Sequence, residues 1–315
     1  MRAATVVNGT LTVVEHPDPE PGTGEVQVRI RAAGVNNADL MQVKGLYPAP
    51  PGSPPDIPGL EVAGEVVATG LGATRFEIGD RVMAVVGGGG QAELLAIHER
   101  LLVPVPDEID WLQAGGIPEA FTTAHDALFS QCGLALGEAV LISGAAGGVG
   151  SAAVQLAAQA GARVTATVRN EQRRADVSGL GAVAIDPADA LAHGPYDVVL
   201  ELIGAPNMAM NLQALSTGGR IAVIGVGGGA KAEIDLLAIM GKRARIHGST
   251  LRARPLEGKA AAARAMEQHV VPLFQTGRLR VPIAASFPLE RVAEAYEQFA
   301  AGGKFGKIVI EIGDA

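Results

Sequence analysis

The sequence has little cysteine, no excess of basic charge and no export signal, and each of these shortages excludes a class of protein. Cys132 is the only cysteine, so the chain cannot form an internal disulfide. The formal net charge is -8, which argues against nucleic acid or an anionic membrane as the partner, because both require a basic face. Residues Met1–Gly24 do not resemble a cleaved export signal. We therefore expect a protein of a reducing, cytoplasmic setting.

Glycine and apolar residues, in contrast, are abundant. The chain has 42 glycines among 315 residues, and 48% of its residues are hydrophobic while only 18% are charged. A chain of this length and composition can bury two cores of ordinary size, so disorder is excluded as the main state. Aromatic residues make up only 3%, and this composition suits an α/β enzyme with many tight turns between strands and helices.

The apolar pattern divides the chain into a β-rich part, a part that alternates strands with helices, and a return to the first part. Between Ala3 and Val105, short alternating segments separated by glycine and proline predict strands, with one helix at Asn36–Lys44. From Ala139 to Ser249, strands alternate with helices, which predicts βαβ units and a doubly wound parallel sheet. Lys307–Ile312 has the period of the first part, so we expect it to return there. The predicted domains are residues 1–117 with 251–315, and residues 118–250.

Three longer segments each predict a single element. Ala3–Val14 alternates as one strand, while Asp110–Leu128 and Gly258–Thr276 have the spacing of continuous helices.

The segment Ala139–Ala162 passes from a short apolar run through a glycine turn into a helical pattern. Its residues Ala145-x-Gly147-Gly148-Val149-Gly150 form the dinucleotide fingerprint with alanine in place of the first glycine. A glycine turn that leads into a helix leaves backbone N–H groups free to hold a phosphate at the positive end of the helix dipole. A flexible loop and a membrane span are the alternatives, but the glycines interrupt a span and apolar patterning continues on both sides. We therefore assign Gly147, Gly148, Val149 and Gly150 to a pyrophosphate.

The residues after the second predicted strand indicate which dinucleotide is bound. Sites for NAD place an Asp or Glu about 20 residues past the turn, where it binds the ribose 2′-hydroxyl. Here the strand ends in Thr167, Val168, Arg169 and Asn170, with Arg173 one turn further, and no carboxylate occupies that end. Because a guanidinium matches phosphate geometry, Arg169, Asn170 and Arg173 predict a site for the 2′-phosphate of NADPH. The alternative is a solvated start of a helix.

Eight segments, taken together and in this order, resemble the medium-chain dehydrogenase/reductase superfamily, and specifically its zinc-free quinone oxidoreductase branch, the zeta-crystallin-like enzymes. They are GVNNADLMQVKGLYP (34–48), PGLEVAGEV (58–66), GDRVMA (79–84), GGGQAEL (88–94), IPEAFTTAHDAL (117–128), AAGGVGSAAVQLA (145–157), GGRIAVIG (218–225) and GKIVIEI (306–312). The resemblance covers nearly the whole chain. It implies an α/β protein with a β-rich, GroES-like catalytic domain and a Rossmann nucleotide-binding domain.

The same superfamily includes zinc alcohol dehydrogenases, so the positions of their metal ligands decide which chemistry the resemblance implies. The zinc enzymes carry motifs that look like GVCHTD and GHE at the matching places. This chain has Asn36 at the cysteine position and Leu60 at the histidine position, and it retains Glu61. The six histidines are scattered without metal spacing, and zinc requires three or four converging ligands. Without a Lewis acid, the expected substrates are electrophiles that accept hydride unaided, namely quinones or the activated C=C bonds of 2-alkenals, enones and enoyl thioesters.

The resemblance also implies roles for individual residues. Asn36 and Tyr47 match residues that line the substrate pocket, although Tyr47 also fits a turn aromatic packed on prolines. Asp39 and Gln42 lie on or beside the helix face of Asn36, where we expect them to cap and brace. Thr123 matches a threonine near the nicotinamide, and a hydroxyl bonded to its own helix is the alternative. The remaining cofactor contacts are implied for segments that follow predicted strands: Ile203, then Ile224, Gly225 and Val226, then Ser249, Thr250 and Leu251.

The expected reaction is direct hydride transfer from NADPH to a quinone, with reduction of an activated C=C bond as the alternative. A structural or RNA-binding protein that holds the cofactor without turnover is an alternative of another class, since some members of this branch are used in those ways. A homodimer is also implied, with Ala230–Leu237 as a candidate edge strand. The sequence leaves the roles of Glu61, Lys304 and Lys307 open, with an internal ion pair as the simplest role for Glu61.

Overall fold

The computed structural model describes residues 1–313, which form two compact units. The first unit contains Met1–Thr122 and the chain from Leu251 onward, and the second contains Thr123–Thr250. The divisions predicted from the sequence lie after residues 117 and 250, so the first is five residues before the division after Thr122 in the structure.

The strands, in chain order, are β1 (Arg2–Val7), β2 (Thr10–Glu15), β3 (Glu25–Val35), β4 (Glu61–Thr69), β5 (Arg81–Val85), β6 (Leu94–His98), β7 (Val103–Pro104), β8 (Ala139–Ile142), β9 (Arg163–Thr167), β10 (Val183–Ile185), β11 (Tyr196–Glu201), β12 (Leu215–Val223), β13 (Arg245–Gly248), β14 (Ile283–Pro288) and β15 (Lys307–Glu311). The α-helices are α1 (Asn37–Val43), α2 (Trp111–Gly116), α3 (Pro118–His125), α4 (Gly148–Gln159), α5 (Arg174–Ser178), α6 (Met208–Ala214), α7 (Leu236–Lys242), α8 (Leu256–His269), α9 (Val271–Gln275) and α10 (Val292–Ala301). Among residues 1–313, no helix has the length and apolar character needed to cross a membrane.

The first unit is organised by a seven-stranded sheet in the order β14-β15-β3-β4-β5-β7, with β6 also paired to β3. Alternate residues of β3, among them Val26, Val28 and Ile30, are fully buried in the main apolar core, as a half-buried strand requires. The last strand, β15, pairs antiparallel with β3, with Ile308 opposite Val35. This pairing confirms the predicted return of the tail to the first unit.

Three predicted elements are divided in the structure. Ala3–Val14 was predicted as one strand but is a hairpin of β1 and β2, because Asn8 and Gly9 both have positive φ and make the turn. The predicted helix Asp110–Leu128 is divided at Pro118, which has no N–H to donate to the carbonyl four residues earlier. The predicted helix Gly258–Thr276 is divided near Pro272, which lacks the N–H that a continuous helix needs.

The second unit is built on a parallel sheet in the order β10-β9-β8-β11-β12-β13. Val140, Leu141 and Ile142 of β8 are fully buried, as expected for a central parallel strand covered on both faces. The strand order reverses between β8 and β11, and ligands bind at the carboxyl ends of strands at such a point. This sheet confirms the predicted doubly wound fold.

The predicted edge strand Ala230–Leu237 is wrong. The Asp235 side chain accepts hydrogen bonds from Leu237 N and Ala238 N, and this cap begins α7 inside the predicted strand. The edge on this side of the sheet is β13, which pairs with β12.

Candidate functional site

The glycine turn of the second unit leads from β8 into α4, whose N-cap is Gly147 in an extended conformation. No side chain caps this helix, and the first N–H groups of a helix have no acceptor within it. The N–H groups of Gly148, Val149 and Gly150 are therefore the donors that this turn can offer. A 12-residue helix with an uncapped N-terminus fits a pyrophosphate.

Two glycines shape this turn. Gly144 has φ +62° and takes the left-handed conformation that the fingerprint usually gives to its first glycine, which explains why Ala145 is tolerated. A Cβ on Gly150 would lie 2.6 Å from both the Ala145 Cα and the Gly144 oxygen, so close packing of α4 on the turn requires glycine there. At Gly147, the nearest atom to such a Cβ would be 3.5 Å away, which leaves its outer side open.

The carboxyl end of β11 is organised by Glu201, a fully buried carboxylate that the sequence analysis overlooked. Its Oε1 accepts hydrogen bonds from the Ser143 hydroxyl at 3.0 Å, from Ile203 N at 2.6 Å and from Gly204 N at 2.7 Å. Its Oε2 accepts from Asn211 Nδ2 at 2.5 Å. The available signal was a carboxylate with apolar residues on both sides, Glu201 inside the segment DVVLELI.

Glu201 brings two predicted cofactor segments together. The backbone oxygen of Glu201 accepts hydrogen bonds from Ile224 N and Gly225 N at 3.0 and 3.1 Å, so these residues lie beside the loop that contains Ile203. The side chains of Ile203 and Val226 are exposed. The strand ends therefore present apolar side chains on a rigid backbone.

The residues predicted to bind a 2′-phosphate differ in whether their side chains already make contacts within the protein. The Asn170 side chain accepts a hydrogen bond from Gln172 N at 3.1 Å, and the Arg173 guanidinium lies 3.3 Å from the Asp176 carboxylate. Thr167 is buried at the end of β9, and its carbonyl accepts from Ala145 N. Arg169 is exposed and makes no hydrogen bond or ion pair with residues 1–313. Arg169 is thus the guanidinium best able to meet a ligand.

The remaining predicted cofactor residues fall on both sides of the division between units. Thr123 is buried in α3, and the Ser249 hydroxyl donates to Asp126 Oδ2 at 3.0 Å. Thr250 is exposed at the end of the second unit, whereas Leu251 belongs to the first unit and is buried there.

In the first unit, Asn36, Glu61 and Lys307 form a buried polar cluster. The Lys307 ammonium donates to Asn36 Oδ1 at 2.6 Å and makes a direct ion pair with the Glu61 carboxylate, and Lys307 and Glu61 are 3% and 0% exposed. Asn36 Nδ2 donates to Glu61 Oε1 at 2.9 Å, and Glu119 N donates to Glu61 Oε2 at 2.8 Å. Both heteroatoms of the Asn36 amide are therefore engaged within the protein, and Glu61 has the internal ion pair expected for it.

Asp39, in the first turn of α1, stabilises the start of that helix. Its carboxylate accepts hydrogen bonds from Asn36 N at 2.8 Å and from Gly59 N at 3.0 Å. Complete burial raises the pKa of Asp39 to about 7, although both N–H donors act in the opposite direction. The bracing role expected for Asp39 is confirmed.

Tyr47 follows α1 on a partly exposed loop, and its hydroxyl makes no hydrogen bond with the part of the chain that the structure describes. The Arg252 guanidinium lies over its ring, 5.0 Å from the centroid, and donates to the Tyr47 carbonyl oxygen at 3.0 Å. The sequence analysis did not single out Arg252. The free hydroxyl makes Tyr47 the side chain in this region that can donate to a ligand.

Lys304 is not a member of the buried polar cluster. Its ammonium lies 3.5 Å from the centroid of the Phe299 ring. Burial lowers the pKa of Lys304 to about 8, and the charge of Lys307 contributes to this lowering. Among the described residues, no group of three or more His, Cys, Asp and Glu side chains could hold a metal ion.

The comparisons with known proteins agree with this geometry. Residues 22–107 match the model of the alcohol dehydrogenase GroES-like domain, and residues 148–268 match the model described as zinc-binding dehydrogenase. The chain is 32% identical over 304 residues to a quinone oxidoreductase of Lama guanicoe, covering 93% of this chain and 90% of that protein. The chain belongs to the quinone oxidoreductase-like branch of the medium-chain dehydrogenase/reductase superfamily.

Two other similarities show how widely this medium-chain dehydrogenase/reductase architecture is used. A segment of a phenolphthiocerol/phthiocerol polyketide synthase of Mycobacterium tuberculosis is 34% identical over 317 residues, which is 96% of this chain but 14% of the synthase. The crystal structure of an alcohol dehydrogenase superfamily protein from Novosphingobium aromaticivorans matches with a TM-score of 0.87 and 30% identity, covering 99% of this chain and 100% of that one. A nicotinamide cofactor is implied by membership of this family and by the Rossmann-type sheet.

The buried cluster makes a prediction about stability. Lys307→Met would leave the Glu61 carboxylate buried without its cation, which should lower the free energy of unfolding by about 3–5 kcal/mol. Adding Glu61→Gln removes the unpaired charge and should recover most of that loss. Urea unfolding of the single and double variants measures both changes.

A matched control is Arg31→Met, which breaks the partly exposed ion pair with Glu65 at 2.9 Å on the same sheet. It should cost about 1 kcal/mol or less. Equal destabilisation in Lys307→Met and in the double variant would contradict the role of the ion pair.

Proposed function

We propose that this protein is a zinc-independent, NADPH-dependent oxidoreductase that transfers hydride to quinones. The observation that carries the proposal is the Lys307 ammonium bound between Asn36 and Glu61, at the positions that resemble the metal-ligand motifs of zinc alcohol dehydrogenases. Similarity to the quinone oxidoreductases supports the substrate class.

The donors in this cluster support zinc independence. Asn36 offers an amide where a thiolate would be needed, Leu60 offers no donor, and the charge of Glu61 is already neutralised by Lys307. A divalent cation would have to displace a buried ammonium while gaining a single carboxylate, which is a poor exchange for a metal that prefers three or four ligands. The substrate must therefore accept hydride without a Lewis acid, as quinones do.

The cofactor has residues to hold it in the second unit. NADPH, when bound, supplies a hydride from C4 of its nicotinamide. The uncapped N–H groups of Gly148, Val149 and Gly150 would hold the pyrophosphate, and Arg169 would hold the 2′-phosphate. The loop anchored by Glu201 keeps Ile203 and Gly225 rigid at the strand ends, where a parallel sheet binds its ligand.

Tyr47 supplies the hydrogen-bond donor on the substrate side. Negative charge develops on the substrate oxygen as hydride arrives, and an oriented donor at that oxygen stabilises it. Because the Asn36 amide is engaged by Glu61 and Lys307, the free hydroxyl of Tyr47 is the donor, and it can pass its proton to that oxygen. No covalent intermediate is required.

Reduction of an activated C=C bond is the second candidate. The similarity to a segment of a polyketide synthase favours it, since such enzymes build chains that carry carbonyl groups. An enone or enoyl thioester would use the same hydride and the same donor. Turnover of an enone or enoyl thioester would depend on Tyr47 more than turnover of a quinone does, because these substrates are weaker oxidants than quinones.

A homodimer is part of the proposal. Helix α7, which packs against β12 and precedes the edge strand β13, exposes Leu236, Leu237 and Met240, which are each at least 70% exposed. A second copy that covers these side chains would remove a large apolar area from water.

The function is tested with purified protein, NADPH and a panel of ortho-quinones, para-quinones and 2-alkenals in the presence of a chelator. We expect NADPH oxidation with quinones at rates that the chelator leaves unchanged. Faster turnover of 2-alkenals would favour the second candidate. Complete loss of activity in chelator would overturn the zinc-free mechanism, and cofactor binding without turnover of any substrate would favour a structural role.

Cofactor choice is tested at Arg169. Arg169→Ala removes a charge-assisted contact to the 2′-phosphate, so kcat/KM for NADPH should fall about tenfold to a hundredfold while kcat/KM for NADH stays constant. Arg245→Ala is the control, because it removes an exposed arginine at the far edge of the same sheet. Equal efficiency with both cofactors, unaffected by Arg169→Ala, would refute this assignment.

The donor role is tested with Tyr47→Phe. Loss of one oriented donor should lower turnover by up to about a hundredfold while NADPH affinity stays near normal, with a smaller effect on quinones than on enals. Tyr296→Phe is the control, since its buried hydroxyl donates to Gln91 and should leave turnover unchanged. Unchanged rates of Tyr47→Phe on both substrate classes would mean that positioning alone is the catalyst.

A further inference from the structure

Arg252 is a buried cation without a carboxylate partner. The residue is 3% exposed and forms no ion pair with the described part of the chain. Its guanidinium donates to three neutral acceptors, namely the Gly87 oxygen at 2.7 Å, the Tyr47 oxygen at 3.0 Å and the side chain of Gln42. A buried ionised group is normally paired, because desolvation of an isolated charge costs several kcal/mol. Such a guanidinium therefore indicates a role beyond folding.

The position of Arg252 connects this charge to Tyr47. The guanidinium carbon lies 5.0 Å from the centroid of the Tyr47 ring, within the range of a cation–π interaction. The same group binds the Tyr47 carbonyl, so it holds both the ring and the backbone of this residue. Gln42 on α1 and Gly87 after β5 anchor the guanidinium from two other segments.

We infer that Arg252 is a positioning residue that holds the Tyr47 ring in place and makes its hydroxyl a stronger donor to the substrate. This inference rests on the proposed role of Tyr47 in hydride transfer. We assign Arg252 no contact with the substrate, because it is 3% exposed and each of its three nitrogens already donates a hydrogen bond, to Gly87, Tyr47 or Gln42.

The charges around Tyr47 and Arg252 determine the direction in which Arg252 shifts the pKa of the Tyr47 hydroxyl. Burial raises the pKa of Tyr47 above its ordinary value, Arg252 opposes this rise, and Glu119 adds to it. Burial lowers the pKa of Arg252 below its ordinary value, while the charges of Asp39 and Glu119 favour its ionised form. The pKa of Lys259 is also lowered, first by burial and then by the charge of Arg252. A positive charge beside the ring stabilises the phenolate that forms as Tyr47 gives up its proton.

The direct test is a spectroscopic titration of the tyrosines, which requires no turnover. The chain has three tyrosines, and Tyr196 and Tyr296 are buried, which raises the pKa of both. Loss of one phenolate step in Tyr47→Phe identifies the Tyr47 transition. Arg252→Met should then move that transition upward by about one pH unit or more.

Two further variants make the titration specific. Arg81→Met is the matched control, because Arg81 also lies over an aromatic ring, 4.4 Å from that of Trp111, and donates to backbone oxygens. It should leave the Tyr47 transition unchanged. Arg252→Lys keeps the charge without the planar fork, so it should give a smaller upward shift and a partial loss of turnover.

A double-mutant cycle measures the same coupling in catalysis. Arg252→Met should lower enal turnover by about the factor that Tyr47→Phe does, and should cause little further loss when combined with Tyr47→Phe. Fluorescence of Trp111, the sole tryptophan, reports whether the first unit remains folded. If Arg252→Met does not fold, Arg252→Lys provides the comparison.

The inference is overturned if the Tyr47 transition stays in place in folded Arg252→Met. Losses that multiply in the double variant, or an Arg252→Lys enzyme with wild-type titration and turnover, would also overturn it. Failure of the proposed function is distinguishable, because a protein that reduces no quinone or enal can still show the titration shift. Conversely, a strong effect of Tyr47→Phe on turnover with no shift in Arg252→Met would refute this inference alone.

Discussion

The ion pair between Glu61 and Lys307 is the interaction on which the first unit depends. Both side chains are almost completely excluded from water, so neither charge is tolerable without the other. Glu61 begins β4, Lys307 begins β15, and Asn36 follows β3, so one cluster determines where these three strands meet. The pairing also explains Gly34, because a Cβ there would lie 2.1 Å from Glu61 Oε1.

The same unit treats its two buried cations in different ways. Lys307 is neutralised by a carboxylate and projects little net charge, whereas Arg252 is bound only by neutral oxygens and keeps its positive field. Hydride transfer places negative charge on the acceptor, so a cation without an ion-pair partner beside a free hydroxyl is useful, and a cation in a direct ion pair is not. In this view the lysine is structural, and the arginine supports the proposed chemistry through Tyr47.

In the second unit, the buried carboxylate of Glu201 has no cation beside it among residues 1–313, unlike Glu61 in the first unit. Glu201 is buried and ionisable, yet its carboxylate accepts from N–H groups and from neutral side chains such as Ser143 and Asn211. These contacts fix the loop after β11 at the point where strand order reverses. The uncapped start of α4 lies after β8, the neighbouring central strand, so both supports of the candidate cofactor site come from the middle of the sheet.

The sequence alone determined the parts that depend on local pattern. The parallel sheet and the return of β15 followed from apolar periodicity, and the glycine turn followed from residue types that only a tight turn needs. Some errors were also local, since Asn8-Gly9 and the prolines at 118 and 272 carry recognisable turn and break signals. Tertiary structure alone decided the partners of isolated charged residues. Lys307 is 246 positions from Glu61, and Arg252 is 205 positions from Tyr47. No periodicity links residues so far apart, because their contact arises only when separate strands and loops pack and exclude the water that would otherwise solvate each charge.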